Sequence, residues 1–84
     1  MENNGLQSLI KQSKSLLVQI NSAISQVEIE AAQLGCKPEE LRNTDGSFAL
    51  NDLLLAKSQT LRSIFGFEQL YAMERLEEQD RATR

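Results

Sequence analysis

Between Leu6 and Leu34 the apolar residues recur in alternating steps of four and three. Ile10, Leu17, Ile24 and Ala31 form one column, and Leu6, Ser13, Ile20, Val27 and Leu34 form the next. That alternation, held for about four heptads, is the signature of an α-helix with a coiled-coil seam. Leu9, Leu16 and Ala23 add a third column beside it. Three apolar columns in seven make a stripe wider than a two-stranded seam needs. The helix, expected over about 5–34, therefore calls for two neighbours, and the fold class is all-α. A helical hairpin with coiled-coil-like packing is expected, completed to a three- or four-helix bundle by oligomerisation.

The rest of this helix is polar yet poor in charge. Only Lys11, Lys14, Glu28 and Glu30 are charged between Gly5 and Leu34. Uncharged polar residues are cheaper to bury than Lys or Glu when they find hydrogen bonds. The face is thus either solvated or covered by a partner.

Gly35 ends the helix and Pro38 follows three residues later, a common stop arrangement. Pro38-Glu39-Glu40-Leu41 reads as one helical turn with Pro first and acids at its amino end. Asn43-Thr44-Asp45-Gly46-Ser47 reads as a turn, with Asp45 or Ser47 capping the next helix. The connection 35–47 is long for a helical hairpin.

A second helix is expected over about 48–65, with Leu50, Leu54, Leu61 and Ile64 on its inner face. Lys57 interrupts that rhythm, and continuing it places Glu68 inside. Two charges in one seam imply a change of phase, for which Gly66 is the natural position. The expectation is a kink, or a separate helix over about 67–78 followed by a polar tail, 79–84. Glu77 and Arg81 are spaced to pair on one helix face.

The chain has 84 residues, a size for one domain with a marginal core of its own. A single cysteine, Cys36, rules out an internal disulfide. The absence of histidine, with only that thiol, argues against a metal site. The net charge is −3, without a basic block. Lys11 and Lys14 on the first helix, and Lys57 and Arg62 on the second, are too few to favour nucleic acid. No window is long and apolar enough for a membrane span, and the amino end has no secretory signal pattern. The expectation is a cytoplasmic protein.

General acid–base work at neutral pH usually recruits histidine, which is missing. Cys36 has no histidine to activate it and sits at a helix carboxyl end, where the dipole opposes a thiolate. The glycines are too scattered for a phosphate cradle. No catalytic residue and no cofactor is therefore assigned, and the reading is non-enzymatic. The size and outline are similar to needle subunits and small helical chaperones of bacterial type III secretion. The Pro-x-Asp-Pro-type turn usual in the needle subunits is replaced by Asn43–Ser47, and no family is assigned.

The sequence points to a protein–protein interaction module that self-associates, as a dimer, through Leu6, Ile10, Leu17, Ile20, Ile24, Val27, Leu34, Leu50, Leu54, Leu61 and Ile64. The alternative is an adaptor, chaperone or inhibitor whose bundle another helical protein completes. A regulatory nucleic-acid-binding dimer ranks below both. Phe65, Phe67 and Tyr71 are candidate partner-binding aromatics, because aromatics dominate interface hot spots. Glu39 and Glu40 are candidate docking points for a basic partner.

Overall fold

The computed structural model describes the backbone of residues 4–83 and the side chains of residues 5–79. Two long helices pack antiparallel: α1, Asn4–Leu34, and α2, Ala49–Thr83. The fold is a helical hairpin without named strands among the described residues. Arg81, the expected partner of Glu77, lies outside the described side chains. At 1.5 Å per residue the helices run about 46 and 52 Å. The molecule is accordingly a rod of 65 × 18 × 15 Å.

The bend between the helices is built by the residues the sequence singles out. Gly35 takes φ +73°, which costs a residue with a Cβ but not glycine. The Cys36 N–H then donates to the Ala31 carbonyl at 3.0 Å, and the Gly35 N–H to Ala32 at 3.2 Å. That pair of bonds is a Schellman cap. Pro38–Glu40 forms one 3₁₀ turn, as expected. The Glu40 carboxylate accepts from the Lys37 N–H at 2.8 Å. Asp45 caps its own turn rather than α2: its carboxylate accepts from the Ser47 N–H at 3.0 Å and hydroxyl at 2.7 Å. The Ala49 N–H donates to the Leu41 carbonyl, tying the start of α2 to the connection.

On α1 the seam follows the sequence pattern. Ile20, Val27 and Ala31 are buried, and Leu6, Ile10, Leu17 and Ile24 are half-buried. Leu34 departs from it: as the last helical residue it lies past the seam and is 70% exposed.

On α2 the seam is not the expected one. Leu54 and Leu61 are about half exposed, whereas Leu53, Ala56, Lys57 and Phe67 are half-buried and Thr60 and Ile64 are buried. The inward residues are Leu53, Lys57, Thr60, Ile64, Phe67 and Tyr71, an unbroken four–three rhythm. Started one residue earlier than expected, the rhythm needs no change of phase. Glu68 then falls outside the seam, and α2 runs through Gly66 as one helix to Thr83. A glycine in a helix interior costs about 1 kcal/mol relative to alanine, which the packing of Ile64 and Phe67 on either side absorbs.

Lys57 occupies a seam position while half-buried, a setting in which a lysine stem covers apolar surface and its ammonium snorkels outward. Lys57→Leu is expected to leave the melting temperature unchanged or raise it. A loss of more than about 1 kcal/mol in a denaturant titration would mean that the ammonium is paired inside.

Candidate interaction surface

Two contacts between the helices fix which sides of the rod are which. Lys14 Nζ lies 3.1 Å from Glu68 Oε2. Gln7 Nε2 donates to the Tyr71 hydroxyl at 2.6 Å, and Arg75 approaches the same hydroxyl at 3.2 Å. Gln7 and Lys14 belong to one heptad column of α1, and Glu68 and Arg75 to one column of α2. These columns therefore share one flank, the polar flank. The hydrogen bonds from Arg75 and then Gln7 lower the pKa of Tyr71, and the same Tyr71 contact raises that of Arg75. At the bend, hydrogen bonds from Ser47 lower the pKa of Asp45. Asp45 and Arg75 are solvent-exposed, and the Lys14–Glu68 pair, about half exposed on both sides, holds register more than stability.

The opposite flank carries the third apolar column of α1: Leu9, Leu16 and Ala23. Leu9 is 44% and Leu16 48% exposed, and Ala23 is half-buried. The α2 column on the same flank is Ala56, Ser63 and Leu70, the last exposed. Next to Leu9 and Leu16 runs a column that the sequence reading passed over. Gln12, Gln19, Gln26 and Gln33 stand seven apart and are all exposed. The strict spacing was the signal available to find it.

The structure divides the aromatic cluster. Phe67 and Tyr71 are half-buried on the seam, where they serve the hairpin itself, and Phe65 points away at 64% exposure. Glu39 and Glu40 also part company. Glu40 is bound to the Lys37 backbone, and Glu39 lines an open, mostly apolar cleft of about 240 Å³ with Phe48, Leu50, Asn51 and Leu54. The Arg42 guanidinium stacks 4.2 Å from the centre of the Phe48 ring beside it.

Among the described residues no group of three or more His, Cys, Asp or Glu side chains could hold a metal ion. Cys36 is a free, half-buried thiol. No described helix is long and apolar enough to cross a membrane. No protein family, curated protein or solved structure matches the chain.

Proposed function

We propose that this chain is a non-enzymatic interaction module that self-associates through its apolar helical surface. The observation that carries the reading is the third apolar column. The hairpin gives α1 one neighbour, while Leu9 and Leu16 stay nearly half exposed along with Leu54, Leu61 and Leu70. Among the described residues no large side chain is fully buried in the single hairpin. A second pair of helices supplies the missing neighbour and makes a four-helix bundle. The direct test is light scattering coupled to size exclusion, with circular dichroism, from about 1 to 200 µM, a range that brackets micromolar association. A helical dimer is expected. A monomer throughout would remove self-association from the reading.

The cleft beside Glu39 supports a second reading, in which another helical protein completes the bundle and the chain acts as an adaptor, chaperone or inhibitor. An acidic rim on an apolar cleft suits a partner that offers a basic residue next to an apolar one. A monomer that gains helicity on mixing with such a protein would favour it.

A further inference from the structure

We infer that the flank bearing Leu9, Leu16, Ala23 and Leu70 is the dimer face and that its occupant is a second copy of this chain. The inference rests on the self-association proposed above and adds which side of the rod takes part. The first support is area. The chain exposes 6485 Å², whereas a compact monomer of its mass exposes about 5,000 Å². The excess of about 1,500 Å² exceeds the roughly 800 Å² that each partner gives up in a specific interface of ordinary size.

The second support is charge. The polar flank presents Lys14, Glu28, Glu68 and Arg75 beside the exposed Leu54 and Leu61. The other flank presents no charged residue on its α1 columns from Leu9 to Gln26. On its α2 columns, from Ala56 through Gln59, Ser63, Gly66 and Leu70 to Met73, it again presents none. Burying a charged face against a second copy costs the desolvation of each ion. This face meets itself without that penalty, and the Lys14–Glu68 pair stays outside. The glutamine column forms the polar rim that such an apolar patch needs.

The third support is shape. The α1 side of the face is raised by Leu9 and Leu16, and the α2 side is low at Ala56, Ser63 and Gly66 before it rises at Leu70 and Met73. A Cβ placed on Gly66 would meet no atom within 4 Å, so nothing inside the hairpin requires glycine there. Leucines of one copy lie over the low strip of the other, and the two-fold axis repeats the contact.

Gly66→Leu separates this face from the fold, because leucine favours the helix that glycine weakens. The expected result is a chain as helical as the wild type whose dimer dissociation constant rises at least roughly tenfold, the scale of a lost interface contact. Leu61→Gln, on the polar flank, should leave that constant within about threefold, as substitutions outside the contact area do. A wild-type dimer whose constant is unmoved by Gly66→Leu would overturn the choice of face and leave self-association standing. A wild-type monomer at every concentration would overturn both.

Discussion

Ile20→Asp is expected to abolish the folded hairpin at room temperature. Ile20 is 7% exposed near the middle of α1, level with the stretch of α2 around Thr60 and Ile64, which are also buried. Removing a buried isoleucine side chain from a core costs about 2–5 kcal/mol. Placing a carboxylate there adds its desolvation, about 1–3 kcal/mol even for a neutral polar group. A core of this size rarely supplies more than about 3–5 kcal/mol. The sum exceeds what the hairpin has. Far-ultraviolet circular dichroism should show the loss of most helicity. A variant with wild-type helicity and melting temperature would reject the inward placement of Ile20.

Ala31→Phe is the second large effect. Ala31 is fully buried, at 0% exposure, where α1 closes against the connection and the start of α2. Its carbonyl also accepts the Cys36 N–H that turns the chain. A phenyl ring there has no free volume, so the helices must part or the cap must shift. Overpacking of this kind costs about 1–3 kcal/mol, which for a domain this small is a fall of about 5–20 °C in melting temperature. Ala32→Phe, one residue on and exposed, should change little. Equal effects at both positions would mean that the bend end packs loosely.

The first helix was legible in the sequence because large apolar residues occupy its seam and their spacing alternates cleanly. The bend was legible because Gly35 and Pro38 have one cheap use each in that order. The seam of α2 was not, and the reason is physical. Hydrophobic size draws attention to Leu54 and Leu61, but the inner line runs through Leu53 and Thr60 on the neighbouring column. Reading the rhythm through the leucines made Glu68 an inward charge and demanded a break at Gly66. In the structure Glu68 faces Lys14 across the polar flank, and no break is needed. Leu34 failed as a seam residue for a simpler reason: a heptad count does not know where its helix ends. The candidate surface was half legible. The third column of α1 stood out, but pairing it with Ala56, Ser63 and Leu70 required knowing which flank holds the ion pair.

The hairpin has one closed end and one open end. At the closed end the Schellman cap, the 3₁₀ turn and the Asp45 turn hold residues that are near in sequence. At the open end Gln7 meets Tyr71, 64 residues away along the chain. Layers next to the bend can form with little loop-closure entropy, and each formed layer shortens the loop left for the next. The chain can therefore zip from the bend outward, and it loosens in the reverse order. The layer around Gln7, Tyr71 and Arg75 is the first to come undone, because it lies farthest from the bend among the described contacts between the helices. For such a rod, stability is a gradient along its axis, high at the bend and low at the layer around Gln7 and Tyr71.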